Sequence, residues 1–216
     1  MVEKDHLSEK AKYDLILVDS DYQKKKVHSR FPRTRVELFI KPASDNIFKP
    51  QKTIKKKYDV IFVGNLLKKD IKGHGFILDS LHRDFSVLQV GIVNKTMKKK
   101  YPNVKFTGWI PRARVPDMYA MSKVSVVASV TKDSCPRVIA ESIACNCPLV
   151  ILDSVKFWAK KYITSDTGIL TDRDNFVDNT RKAVSMYNRF SPNKYYKKNL
   201  SLSCAALFIK NLIIKK

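Results

Sequence analysis

The chain has 216 residues, enough for one α/β domain with additions or at most two small ones. A hydrophobic fraction of 44% excludes a disordered polar chain. Forty-two Lys and Arg against twenty Asp and Glu give a formal charge of +22, which admits a nucleic-acid binder, a protein drawn to anionic membranes, or a Lys-rich solvated surface. The lysines are scattered through Lys24–Lys26, Lys55–Lys57, Lys98–Lys100 and Lys197–Lys198 and flank apolar runs instead of forming a tail. That distribution favours the solvated surface, with membrane attraction next and nucleic acid last.

Cys135, Cys145, Cys147 and Cys204 have neither zinc nor redox spacing, so buried thiols in a reducing compartment are expected. Met1–Lys10 is polar and charged, unlike a secretory signal, and no apolar run reaches bilayer length. A cytoplasmic protein is expected. The chain also begins as if partway into something larger, with only a short polar lead before its first apolar run.

Asp14–Asp19 reads as a buried strand, followed by a Lys-rich helix over Ser20–Arg30 that Phe31–Pro32 stops. Arg35–Ile40 alternates as a second strand. Pro42–Gln51 is loop and Ile54–Lys57 a basic linker. The pattern then becomes regular. Strands are expected at Asp59–Val63, Ser86–Val90, Val104–Thr107, Val124–Ala128, Leu149–Leu152 and Gly168–Leu170. Helices fall at Gly75–Arg83, Arg114–Met121, Pro136–Cys145 and Val155–Tyr162, then Asp174–Arg189 and Pro192–Ile214. Strands alternating with helices predict a Rossmann-like parallel sheet covered on both faces, with ligands beyond the carboxyl ends of the strands.

Among the loops at those ends, Ser129–Val150 (SVTKDSCPRVIAESIACNCPLV) carries the most information. A strand leads into a polar loop, Pro136 opens a small-residue helix, and Asn146 stands where a C-cap is wanted. Asp133 lies in the loop, and Glu141 lies eight positions later on the helix among Ile139, Ala140, Ile143 and Ala144. A helix start suits a phosphate, and a carboxylate beside it can accept both hydroxyls of a ribose. An ordinary helix-surface glutamate is the competing reading.

This segment resembles the acid-x7-acid motif of the retaining, GT-B glycosyltransferases of family four (glycosyl transferases group 1). Other stretches fit in the same order. Val63–Gly64 with Lys72–Gly73–His74 resembles the loop after the first strand of the donor-binding domain. Val104–Gly108 resembles the strand end before the nucleotide base, and Val115–Tyr119 the helix after it. Asp45, Phe48 and Pro50 resemble the end of the interdomain stretch, and Thr167–Leu170 a late strand.

The resemblance implies one half of a GT-B fold, divided as a remnant of the N-terminal domain plus linker (1–52), a nucleotide-sugar-binding domain (53–192) and a C-terminal helix (193–216). It implies that Asp133 contacts the transferred sugar, one methylene shorter than the usual Glu. Glu141 then binds the donor ribose and Lys72 the diphosphate. Asn65 stands where the family has an Arg, and a neutral amide cannot supply that bidentate clamp; Lys68 or Lys69 is an alternative source of charge. Gly64 lets the backbone approach the phosphates, and the Cys135–Pro136–Arg137 backbone faces sugar and phosphate oxygens. Gly108 and Trp109 border the base, with a half-buried structural Trp as the other reading of Trp109. His74 is expected to be structural.

The implied substrate is a UDP- or GDP-sugar, with a glycan, lipid or protein as acceptor and neither metal nor cofactor. The acceptor half is missing from the pattern, so a separate subunit supplying it, or a non-catalytic paralogue that only binds donor, are the alternatives. A peripheral membrane contact is compatible with either, and no nucleic-acid motif appears.

Overall fold

The computed structural model describes residues 7–8, 11–39, 41–51, 54–66, 70, 72–129, 137–153 and 162–214. The first unit is β1 (Leu15–Val18), α1 (Asp21–Arg30) and β2 (Arg35–Leu38). Ser20 caps α1 by accepting from the Gln23 N–H. β1 and β2 pair in parallel, and Ile16, Val18, Val27 and Val36 form a small separate core.

The second unit begins with β3 (Tyr58–Val63), α2 (His74–Leu81), β4 (Val87–Val90), α3 (Lys95–Lys100) and β5 (Lys105–Phe106). It continues with α4 (Val115–Ala120), β6 (Ser122–Val127), α5 (Arg137–Ala144), β7 (Leu149–Leu152), β8 (Gly168–Thr171) and α6 (Phe176–Ser185). Six parallel strands lie in the order β5-β4-β3-β6-β7-β8. The central strands are mostly apolar because both faces are covered; Val60, Ile61, Leu149 and Val150 are wholly buried, and β4 and β6 bury Gln89, Ser122 and Ser125 beside them. On one face α2 meets α6 through Phe76 and Phe176, whose rings are 4.9 Å apart. α4 meets α5 through the Tyr119 hydroxyl and the Val138 carbonyl, on the face to which right-handed crossovers carry them.

The chain moves outward from β3 through β4 to β5, then returns to the other side of β3 with β6. The loops leaving β3 and β6 therefore diverge, opening a crevice at the carboxyl edge of the sheet. The parallel sheet covered on both faces is as the alternation of strands and helices predicts.

α5 ends as Asn146 predicts. Asn146 adopts φ 59°, its N–H bonds the Ile143 carbonyl, and the Cys147 N–H reaches back to Ser142. These are the paired bonds of a Schellman cap. Cys145 and Cys147 are buried, as expected, while Cys204 is only half-buried.

Three differences from the sequence reading are local. α3 was not anticipated; Asn94 caps it by accepting from the Met97 N–H. Helix was expected across Asp174–Arg189, but α6 gives way to a short 3-10 turn at Tyr187–Arg189. The single helix expected over Pro192–Ile214 is two, α7 (Pro192–Asn199) and α8 (Leu202–Ile214). Ser201 breaks it by accepting from the Cys204 N–H, while Asp45 takes the Leu202 N–H. The helix expected over Val155–Tyr162 lies almost wholly outside the described residues. No helix among them is long and apolar enough to cross a membrane.

The linker between the units is held firmly. Ala43 and Phe48 join the core of the second unit, and the Tyr196 hydroxyl reaches both the Ala43 carbonyl (2.9 Å) and Asp45 (2.6 Å).

Candidate nucleotide-sugar site

At the crevice, Val63, Lys72, His74, Val127, Ser129 and Val138 line a small pocket. Gly73 closes one side. It adopts φ 67°, and a Cβ there would collide with the Ala128 carbonyl, so only glycine lets the β3–α2 loop lie against the end of β6. Asp70 then caps α2, accepting from the His74 N–H at 2.8 Å and the Gly75 N–H at 2.6 Å.

His74 is 3% exposed, with its ring 4.9 Å from Phe62. Its Nδ1 is buried without a hydrogen-bond partner among the described residues. Burial pushes its pKa down to about 4, with Asp70 opposing and Lys72 assisting. A neutral, packed imidazole agrees with the structural role expected of it.

The loops after β3, β4 and β5 are stitched together. The Gly64 N–H donates to Val90 (2.8 Å), and the Gly64 carbonyl accepts from Gln89 Nε2 (2.7 Å). Gly91 packs so closely on Gly64 that a Cβ on Gly91 would strike the Gly64 carbonyl, and the Gly91 N–H donates to Gly108 at 3.1 Å. Asn65 serves this frame: its Oδ1 accepts from the Ile92 N–H at 2.8 Å. Trp109, beyond Gly108, is 73% exposed. The half-buried structural alternative for Trp109 is therefore not what the chain adopts.

Glu141 is the buried charge of the site. Packing of α5 against the sheet leaves it 8% exposed, and burial pushes its carboxyl pKa up against the pull of Arg112, Arg137 and Lys72. Arg112 Nη2 sits 3.3 Å from Glu141 Oε1, and its guanidinium lies 5.2 Å from the centre of the Phe48 ring. Three cations thus surround one carboxylate at the mouth of the crevice, an arrangement suited to a ligand with both phosphates and hydroxyls.

The structure brings Gly64, Lys72, Arg137 and Glu141 to one edge of the sheet, with Gly108 and Trp109 on the neighbouring β5 loop. Asp133, Cys135 and Pro136 lie outside the described residues, as do Lys68 and Lys69. Arg112 was not singled out from sequence; the only signal was its place in a loop after a strand's carboxyl end.

Residues 57–187 match the family model described as Glycosyl transferases group 1. Compared by sequence with curated proteins, the chain has no match. Its fold is similar to sucrose-phosphate synthase from Thermosynechococcus elongatus (TM-score 0.73, 16% identity, covering 94% of this chain and 58% of that one). It is likewise similar to the lipopolysaccharide outer core galactosyltransferase WaaB (TM-score 0.70, 17% identity, 93% and 62%). A third is the Anabaena protein HepE, solved with UDP-glucose (TM-score 0.71, 13% identity, 94% and 64%). The chain therefore spans about three fifths of the length of the structures it resembles. Its fold is the Rossmann-like half of a GT-B architecture, and with well over half of its residues matched by the family model, the chain belongs to the glycosyl transferases of group 1.

Proposed function

We propose that this chain holds a nucleotide-diphosphate sugar at the β3/β6 crevice, as the donor-binding, C-terminal half of a retaining glycosyltransferase. The observation that carries the reading is Glu141, buried at the crevice and ringed by Lys72, Arg112 and Arg137. In this reading Glu141 accepts the ribose hydroxyls, and Lys72 with the start of α5 takes the diphosphate as it leaves. Asp133 meets the transferred sugar, Gly64 and Arg137 border the phosphates, and Gly108 and Trp109 border the base. The protein's share of catalysis is then positioning and stabilisation of the departing diphosphate. UDP or GDP is the expected nucleotide; the UDP-glucose of the Anabaena structure favours trying UDP first.

The acceptor half is proposed to dock on β1, β2 and α8. α8 has no acidic residue and exposes Leu207, Ile213 and Ile214, a surface that a partner domain would cover. Calorimetric titration with UDP-, GDP- and ADP-sugars, alongside Lys72→Ala and Glu141→Ala, tests the site. One donor should bind, and each substitution should weaken it about tenfold or more, the value of a charge-assisted hydrogen bond. A folded chain that binds no sugar nucleotide would overturn the proposal.

A second reading, a binding module without turnover, is favoured by Asn65: its carbonyl oxygen is engaged in the loop frame, and an amide brings no charge to a phosphate. Donor binding without transfer, even when the acceptor half is supplied, would identify it. We also propose a cytoplasmic protein that touches anionic membrane surfaces through its lysines. Failure to co-sediment with phosphatidylserine vesicles at physiological salt would remove the membrane contact.

A further inference from the structure

Glu141 is useful to a ribose only if it is ionised and aimed, and burial works against the first. The groups that face it come from four elements. Arg137 and Cys145 lie on or beside its own helix, Tyr119 on α4, Lys72 on the β3–α2 loop and Arg112 on the turn after β5. Burial raises the pKa of Tyr119 and of Cys145, so both are neutral near pH 7 and contribute no charge there.

Of the three cations, Arg112 is the one with a hydrogen bond to the carboxylate among the described contacts, at 3.3 Å to Oε1. It is also held from behind. Its guanidinium lies over Phe48, which is 2% exposed in the core of the second unit. The Phe48 ring restricts where the half-exposed guanidinium can lie, and from that place its Nη2 donates to Glu141.

We propose that Arg112 is a positioning residue: seated on Phe48, it holds Glu141 Oε1 so that the carboxylate is fixed as the acceptor for the vicinal hydroxyls of a nucleotide ribose. The inference rests on the donor-binding reading above. Arg112 acts through Glu141 and need not touch the nucleotide itself. The interdomain linker thereby reaches the ribose subsite through Phe48, Arg112 and Glu141 in sequence.

The test compares UDP with 2′,3′-dideoxy-UDP, or the matching pair for whichever base binds, in the whole chain and in Arg112→Ala and Arg112→Lys. Arg112→Ala should weaken UDP roughly tenfold while changing the dideoxy nucleotide less than about twofold, since the lost interaction involves the hydroxyls. Arg112→Lys should recover part of the loss, keeping charge without the planar edge. The acid limb of UDP binding should move to higher pH in Arg112→Ala, because losing the cation leaves burial to raise the Glu141 pKa further.

Equal weakening of both nucleotides would overturn the proposal and assign Arg112 to the phosphates or the fold. Unchanged UDP binding would overturn it too. Failure of the unaltered chain to bind any nucleoside diphosphate would instead strike the donor-binding reading, so the two failures are distinct.

Discussion

Gly73 and Gly108 form a matched pair in which one backbone conformation meets two surroundings. Both are left-handed, at φ 67° and 71°. A Cβ on Gly108 would find nothing within 4 Å, whereas one on Gly73 would collide with the Ala128 carbonyl at the end of central strand β6. Alanine at either site meets the left-handed penalty of about 1–2 kcal/mol. Gly73→Ala adds a clash with backbone that no side-chain rotation relieves, about 2–3 kcal/mol more by analogy with overpacked cores. With a urea m-value of about 2 kcal/mol/M, the midpoint should fall by roughly 0.5–1 M for Gly108→Ala and about 2 M for Gly73→Ala. Urea melts of the two variants at pH 7 and equal protein concentration provide the assay. Equal losses would refute the argument that the β3–α2 loop is pressed onto β6, and with it the narrowness of the crevice.

Two further outcomes concern stability. His74 is neutral in the fold, with a pKa near 4 against 6.5 when unfolded, so its contribution is intact above pH 6.5 and lost as pH falls toward 4. A loss of about 3 kcal/mol across that window is expected from His74, and His74→Gln should flatten it; parallel pH dependences in urea melts would contradict this. Asn146→Ala removes both a residue tolerant of φ 59° and the acceptor for the Asn193 N–H, and should cost about 2 kcal/mol in the same melts, whereas Asn146→Gly should cost less because glycine accepts that φ.

Much of the fold was legible because its signals are local. An unbroken apolar run such as Val60–Val63 can only be a buried parallel strand once helices alternate with it, and Asn146 announced its cap by type and place. Glu141 was legible in part: its neighbours Ile139, Ala140, Ile143 and Ala144 pointed to burial, while a helix-surface glutamate stayed open until the packing of α5 decided between them. Arg112 was not, because its partners, Phe48 and Glu141, are 64 and 29 positions away and only the fold joins them. The same limit hid the role of Asn65. Its type suggested a weakened phosphate clamp, while its bond to Ile92 depends on how the β3 and β4 loops cross. The split between α7 and α8 turned on Ser201 and Asp45, a cap whose two halves lie far apart in the chain.

A nucleotide-diphosphate sugar is expected at the carboxyl edge of the sheet, in the β3/β6 crevice. Amide chemical-shift mapping by NMR during a UDP-glucose titration, extended to GDP-sugars if UDP-glucose is silent, tests it most directly. Saturable shifts are predicted at Gly64, Gly73, Gly108, Arg112 and Glu141, with little change across β1 and β2. Shifts confined to other surfaces, or none with any sugar nucleotide in a well-dispersed spectrum, would contradict it.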